Sequence, residues 1–400
     1  MRFPAQAKGA MGVLAVLVLA GVAAWVYQLA NGLGVTGMSN ATSWGLYIAC
    51  FMLFVGLSAG GLNVASSASV FHIEKYERVA IPAVICSMVC ICAAGMFVLI
   101  DLGGVARAWR LLTGPNFASP LMWDVCVITL YLIINIIDLY FLTQGKHRQV
   151  QVLSRVALPV AILVHSVTAW IFGLQIAKAW YTAIMAPIFV ASACDSGLAL
   201  LIIALIALEK AGVFSVGKEL IASLSGLLAV FIAVDSFFIG CEVLTMAYPG
   251  AGESVALSHM LSGATAPFFW FEIVCGLALP FLILVFAKNR EKTGLVMFAA
   301  AFVVLGVLAK RIWLLLTSFI TPDVFGAPGI TLGTRAAIEE GGSASWAMLG
   351  SYAPTPIELI IVLGVVSLVV LAFIVLTRRF VGGSGKDASI PARTATDQAA

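Results

Sequence analysis

The chain has 400 residues, of which 62% are hydrophobic and only 10% are charged, and its mean hydropathy is +1.08. Soluble domains are about 45–50% apolar and about 25% charged, so this composition excludes an ordinary water-soluble domain. The net charge of +3 is too small and too dispersed to indicate a nucleic-acid-binding protein.

Ten apolar runs are long enough to cross ~30 Å of hydrocarbon as helices. The first run follows Arg2 and Lys8 and lacks a small-residue cleavage site, so it is predicted to be an uncleaved span. Each run is predicted to be helical because lipid offers its backbone polar groups no other partner. The predicted spans are 10–30, 43–65, 79–102, 119–142, 153–176, 181–208, 219–246, 266–288, 294–319 and 356–377. The predicted fold class is therefore an all-α integral membrane protein.

The basic residues predict the orientation of these spans. Most of the 22 Lys and Arg residues lie at the two termini or in the connections on one side of the membrane. The connections on the other side carry only Arg107, Arg110, Lys178 and Arg335. By the positive-inside rule, both termini are predicted to be cytoplasmic. The outward connections are then the long ones, 104–118, 247–265 and 320–355, and the Gly/Ser/Thr/Ala-rich tail 381–400 is predicted to be disordered.

Spans two to five and six to nine resemble each other weakly. Residues 54–62 of span two match 189–198 of span six, and spans four and eight open with similar motifs at 120–124 and 267–272. Chance recurrence of small-residue packing motifs is the alternative. An offset of four helices preserves topology, so two parallel four-helix bundles are predicted. The predicted membrane domain, 1–380, comprises a first bundle 43–176, a second bundle 181–319 and peripheral helices 10–30 and 356–377.

Titratable side chains inside a membrane are costly and by default indicate function. His165 in span five can donate or accept a hydrogen bond and exchange a proton near neutral pH. Asp195 and Asp235 are predicted to lie at a similar depth. The predicted proton-exchanging set is His165, Asp195, Asp235, Asp124 and Glu272. A structural role for His165, as a partner of Ser or Thr on a neighbouring helix, stays open.

Two further groups of charged residues have two interpretations each. Lys310 and Arg311 in span nine are predicted to neutralise Asp235, Glu242 or Glu272 in a buried ion network, or else to take part in function. Asp101, Arg107 and Arg110 would either dock a partner on the outer face or clamp the loop at the membrane interface.

The sequence contains few of the usual redox or nucleotide motifs. A haem held by two imidazoles is not expected, because His72, His147 and His259 lie in connections, although His/Met ligation stays open. The eight cysteines lack the spacing of an iron–sulfur cluster site, and no phosphate-binding loop for ATP occurs. No metal site, haem or iron–sulfur cluster is therefore predicted in this chain.

Several motifs, in order and spacing, resemble the NrfD/PsrC family. They are 42–48 with 54–61, Asp101-Leu102-Gly103 with Arg107 and Trp109-Arg110, 115–120, 165–170, Trp180 and Asp195-Ser196-Gly197. The similarity covers roughly residues 10–380. The ten-span layout resembles the longer branch of the family, which includes HybB-like and alternative complex III-like subunits.

The resemblance implies a haem-free anchor in the bacterial cytoplasmic membrane that binds menaquinone or ubiquinone and is not catalytic alone. It also implies a docked ferredoxin-like iron–sulfur subunit, with a molybdopterin or multihaem subunit. The predicted mechanism binds a quinol in the first bundle at His165 and a carboxylate, with protons leaving by Asp195, Asp235 or Glu272. The exact pocket is in doubt because Asn63 is the only amide in span two. Alternatives are a secondary transporter, a proton-translocating subunit or a purely structural anchor.

Overall fold

The computed structural model describes residues 5–70, 74–175, 180–248, 253–321 and 350–381. Within these ranges no strand occurs, and ten helices are long and apolar enough to cross a membrane. They are α1 Ala5–Asn31, α2 Leu46–Val70, α3 Ala80–Asp101, α4 Pro120–Thr143, α5 His147–Gly173, α6 Met185–Lys210, α7 Lys218–Ala247, α8 Ala266–Leu284, α9 Thr293–Ile320 and α10 Pro356–Phe380. The predicted fold class is confirmed.

The two ends of the helical assembly differ in their connections. The long-loop face carries the connections 32–45, 102–119, 174–184, 248–265 and the one between α9 and α10, and the basic face carries 71–79, 144–146, 211–217 and 285–292. The predicted orientation of these faces stays a prediction. Outside the described residues lie Lys178, Arg335, most of the connection 320–355 and the tail 382–400; the side chain of Asn63 is also not described.

Two helices differ visibly from their predicted spans. Helix α5 begins at His147 rather than at 153, because its polar first turns continue beyond the apolar run that defined the span. Helix α8 is composite, with a π-helical segment Phe271–Ala278 between two α-helical pieces. Pro280 follows this segment and has no N–H, so the regular ladder of hydrogen bonds is interrupted there.

The helices pack in two rings of four. In the first ring, α2 and α4 each pack on α3 and α5; in the second, α6 and α8 each pack on α7 and α9. The rings meet where α2 packs on α6, flanked by α5 on α6 and by α9 on α2. These contacts have the pattern expected if a two-fold axis along the membrane normal relates α2 to α6 and α5 to α9. The division into two related bundles itself stays a prediction.

The contact between the rings is a crossing of small residues. The backbone of Gly60 on α2 lies directly against the backbone of Gly197 on α6, and a Cβ added at Gly60 would overlap that backbone. One turn earlier, Gly56 lies against Ala193 and Ser196 of α6. Small residues let helix backbones approach closely in a membrane, where packing rather than water drives helix association.

A carboxylate joins the beginning of α10 to the segment before α2. Glu358 Oε2 accepts hydrogen bonds from the backbone N–H groups of Gly37 and Thr355, both at 2.8 Å. The Tyr352 hydroxyl donates to Glu358 Oε1 at 2.7 Å and accepts from the Leu46 N–H at 2.7 Å. Burial and the neighbouring carboxylate raise the pKa of the Tyr352 phenol, so it stays protonated and keeps donating.

Candidate functional site

The second ring contains a lysine that bridges two acids. Lys310 Nζ on α9 lies 2.9 and 3.0 Å from the two carboxylate oxygens of Asp235 on α7. It also lies 3.4 Å from Glu272 Oε1 on α8. The other oxygen of Glu272 accepts a hydrogen bond from Trp313 Nε1 at 2.5 Å. One cation thus connects three helices inside the ring.

The next residue, Arg311, reaches a different helix. Its Nη2 donates to Ser192 Oγ on α6 at 2.7 Å, and its guanidinium carbon lies 3.9 Å from the ring centroid of Phe189. Successive residues of a helix are rotated by about 100°, so adjacent cations face different neighbours. The Nε and Nη1 atoms of Arg311 are buried and have no hydrogen-bond partner among the described residues.

Asp195 lies one turn after Ser192 on α6 and is completely buried. Neither of its carboxylate oxygens has a hydrogen-bond partner in the described part of the chain. No ion pair of 4.0 Å or less joins it to Lys310 or Arg311 there either. The structure therefore brings Asp235 and Glu272 each into contact with Lys310, whereas Asp195 has no ion-pair partner among the described residues.

Glu242 is not part of this ion network. It lies on α7 nearer the long-loop face than Asp235, and one of its oxygens accepts a hydrogen bond from Thr182 Oγ1 at 3.1 Å. Of the three acids predicted to neutralise the cations, the described contacts place Asp235 and Glu272 beside Lys310 but do not place Glu242 beside either cation.

His165 and Asp124 lie in the first ring and have their own partners. The imidazole nitrogens of His165 face two backbone carbonyls, with Nδ1 2.5 Å from Ala161 O and Nε2 3.1 Å from Val55 O. A neutral imidazole carries one N–H, so it can donate to only one of these carbonyls. Asp124 accepts a hydrogen bond from Thr168 Oγ1 at 2.6 Å. The structure does not bring either residue into contact with Asp195 or Asp235.

A cavity opens in the second ring, on the long-loop side of Lys310. Its volume is about 40 Å³, and with its mouth it spans about 540 Å³ of empty space. The lining is mainly apolar and includes Trp180, Met246 and Trp313, with Glu242 and Lys310 as its charged groups. Apolar walls with a few polar groups are typical of small-molecule sites. As it stands the cavity has room for a few water molecules, so a larger ring needs side chains to move.

Trp180 lines the cavity and has a hydrogen-bond donor that no described residue uses. The side chain is 5% exposed, and its indole N–H has no partner among the described residues. Edge contacts with Phe172 and Phe319, at centroid distances of 5.2 and 5.6 Å, hold the ring in place. A buried polar group without a partner requires an explanation, and a ligand acceptor is one.

No pattern in the sequence marks Trp180, Met246 or Trp313 as residues of a ligand-binding site. Tryptophans near a membrane boundary look like the ordinary aromatic belt, and methionines look like core residues. Only the pairing of α6, α7 and α9 shows that these side chains surround one cavity.

Arg107 and Arg110 lie exposed on the long-loop face. The connection there also exposes apolar side chains, with Trp109 at 58% and Leu112 at 77%. Asp101 at the end of α3 forms no ion pair of 4.0 Å or less with either arginine within the described ranges. The described contacts therefore do not show the predicted loop clamp as an ion pair between Asp101 and an arginine.

Among the described residues, no group of three or more His, Cys, Asp or Glu side chains is placed to hold a metal ion. The expectation that this protein holds no haem or iron–sulfur cluster stays a prediction.

Comparison with known proteins identifies related membrane subunits. The profile of the family "Polysulphide reductase, NrfD" matches residues 34–323. The protein is 35% identical to a dimethyl sulfoxide reductase membrane subunit of Halobacterium salinarum, over 92% of its own length and 89% of that protein. It is 28% identical to an Hdr-like menaquinol oxidoreductase integral membrane subunit of Archaeoglobus fulgidus, over 91% and 92%. It is 27% identical to one of the chains of the polysulfide reductase of Wolinella succinogenes, over 69% and 94%.

Proposed function

The chain belongs to the polysulphide reductase NrfD family, and from this premise we propose that it is the quinone-binding membrane subunit of a respiratory oxidoreductase complex. It would exchange electrons with an iron–sulfur subunit docked on it. The names of two relatives support this proposal, since one is a subunit of a menaquinol oxidoreductase and another is part of a polysulfide reductase.

The quinone head group is proposed to bind in the cavity of the second ring. The observation that carries this is the lining of one cavity by Trp180, whose buried Nε1 has no partner among the described residues, by the cation Lys310 and by the carboxyl group of Glu242. Quinone oxygens accept hydrogen bonds, which Trp180 and Lys310 can donate. A bound quinone would supply two-electron chemistry that protein side chains lack.

The side chains then have distinct tasks. Trp180 and Lys310 would orient the head group, while Glu242 would hold or release a proton at the cavity wall. The apolar walls exclude bulk water from this exchange. His165 and Asp124 are left out of the site, because both are already bonded to groups within the first ring.

Replacing Glu242 by Gln is expected to lower quinol-linked turnover of the whole complex by about 100-fold, the usual effect of losing a positioned proton-transfer group. The amide keeps the size and the contact with Thr182 but cannot ionise. Turnover of the purified complex with a short-chain quinol is the measurement. The matched control is Glu291→Gln, which changes an exposed glutamate on the basic face.

The same assay separates this cavity from the first ring. Met246→Trp would fill the cavity and is expected to raise KM for the quinol, whereas His165→Gln is expected to leave KM unchanged. The opposite pattern, with KM sensitive to His165 and indifferent to Met246 and Glu242, would move the quinone to the first ring and remove the cavity from the proposal.

The partner is proposed to dock on the long-loop face, taken as the outer face of the cytoplasmic membrane with both termini inside. Arg107 and Arg110 lie there beside exposed Trp109 and Leu112, and arginine and tryptophan are enriched at interface centres. A ferredoxin-like iron–sulfur subunit, joined to a molybdopterin or multihaem subunit, is the occupant that family membership favours.

Replacing Arg107 and Arg110 together by Ala is expected to reduce recovery of the partner with the affinity-tagged protein at least tenfold, as a loss of about 1.4 kcal/mol or more would do. The measurement is the amount of each co-purifying subunit relative to the tagged protein. The control pair Arg148→Ala and Arg155→Ala removes two exposed arginines from the basic end of α5. Equal partner recovery with both pairs would exclude this surface.

A further inference from the structure

The buried charges of the second ring do not balance. Asp195, Asp235 and Glu272 are three acids, and Lys310 and Arg311 are two bases. All five side chains are at most 1% exposed. With every group ionised, the cluster would carry one excess negative charge. An uncompensated charge in a membrane interior is far costlier than a neutral carboxyl group.

Geometry indicates which acid is neutral. Lys310 lies within 3.0 Å of both oxygens of Asp235 and 3.4 Å from Glu272, and Glu272 also accepts from Trp313. These two acids therefore have the partners that an ionised carboxylate needs. Asp195 has no cation within 4.0 Å in the described ranges, and the backbone N–H of Ser196 lies near its carboxyl group without making a hydrogen bond of normal geometry.

Arg311 adds a positive charge to the cluster without forming an ion pair with Asp195 in the described ranges. Its guanidinium group lies over the Phe189 ring and bonds to Ser192, so its charge acts on the whole cluster rather than through a contact pair. On the Asp195 helix itself, Ser192 and Ser196 are the neighbouring polar groups, and Ser196 Oγ donates to the Ser192 carbonyl.

We propose that Asp195 is a proton-holding site, which keeps one proton while Lys310 and Arg311 neutralise Asp235 and Glu272. The proton occupancy is set by the charge count of the five-residue cluster and not by the burial of Asp195 alone. The charged groups that act on it are Asp235 from α7, Glu272 from α8, and Lys310 and Arg311 from α9; His165 on the neighbouring α5 is bonded to backbone carbonyls instead.

The position of Asp195 gives its proton a role in the proposed quinone chemistry. Asp195 and Lys310 each lie about ten residues, ~15 Å, from the long-loop ends of their helices, near the middle of a membrane-length helix. Lys310 also lines the cavity. The stored proton therefore lies at the depth of Lys310, which lines the proposed quinone site, although the described contacts do not join Asp195 to that lysine directly. This role rests on the proposed function, whereas the proton occupancy itself does not.

The test is infrared spectroscopy of the purified complex, with and without extraction of quinone. A protonated carboxyl has a C=O stretching band that is separate from the carboxylate bands and shifts on H/D exchange. Asp195→Asn is expected to remove one such band, assigned to aspartate by carbon-13 labelling. The same band is expected in quinone-free protein, so failure of the quinone proposal would leave this result unchanged.

Three further variants test the charge count. Asp235→Asn leaves two acids facing two bases, so Asp195 is expected to ionise and its band to disappear although its own carboxyl group remains. Lys310→Met leaves three acids facing one base, so a second protonated carboxyl band is expected to appear. Asp138→Asn, which changes a buried aspartate of the first ring, is the control and is expected to leave the Asp195 band in place.

Two results would overturn the proposal. Retention of every protonated-aspartate band in Asp195→Asn would show that Asp195 is ionised at rest. Persistence of the Asp195 band in Asp235→Asn would show that local burial, and not the cluster, determines its proton. The second variant also keeps the proposal testable if Asp195→Asn does not assemble.

Discussion

Lys310→Met is expected to lower the free energy of unfolding by about 3–5 kcal/mol and to abolish quinol-linked turnover, the largest loss expected from one side chain of the site. The substitution keeps the length of the side chain but removes the cation that lies between Asp235 and Glu272. Both acids would then lose their direct cationic partner, and Arg311 would be the one base left in the cluster. Thermal unfolding of the purified complex, together with turnover, is the measurement.

The control for this prediction is Lys292→Met, because Lys292 is exposed on the basic face and its loss is expected to change neither quantity. The double variant Lys310→Met with Asp235→Asn is expected to recover part of the stability but not the turnover, since it removes one of the two stranded carboxylates. Unchanged stability in Lys310→Met would mean that the bridging contacts contribute little to the folded state.

Gly60→Leu is expected to prevent the two rings from packing together, so that little protein is recovered as a monodisperse species in detergent. A leucine side chain would have to displace the α6 backbone at Gly197, and a helix backbone does not move aside as a flexible side chain does. Overpacking of an ordinary core costs about 1–3 kcal/mol, and an overlap with backbone is expected to cost more.

The matched control is Gly95→Leu, which lies within α3 but has no atom within 4 Å of the added Cβ. It is expected to be recovered like the wild-type protein. Similar recovery of both leucine variants would show that the crossing of α2 and α6 tolerates a wider separation than the structure indicates.

Much of the fold could be predicted from the sequence because lipid leaves a spanning segment no backbone partners other than its own. Hydropathy alone therefore gave all ten helices, with ends displaced most at α5, where polar residues after His147 continue the helix. The π-helical segment of α8 was not predicted. Its position is not readable from the sequence, because the widened turn depends on packing against α9.

The candidate site was predictable only in part. Buried charge is rare enough in a membrane that Asp235, Glu272 and Lys310 were all selected, and the structure brings them together. Which acid each cation reaches depends on helix rotation, and the sequence could not separate Lys310 from Arg311. His165 was the strongest single candidate by residue type, yet its ring faces two backbone carbonyls that no sequence pattern reveals.

The hydrogen bonds of Glu358 and Tyr352 carry a consequence for synthesis on the ribosome. Two backbone donors near the amino terminus, at Gly37 and Leu46, find their acceptors only in residues more than three hundred positions later. Translation must therefore reach the last helix before the entrance to α2 can close. Until then the nascent polypeptide exposes these donors, and a truncation before residue 352 would leave them open permanently.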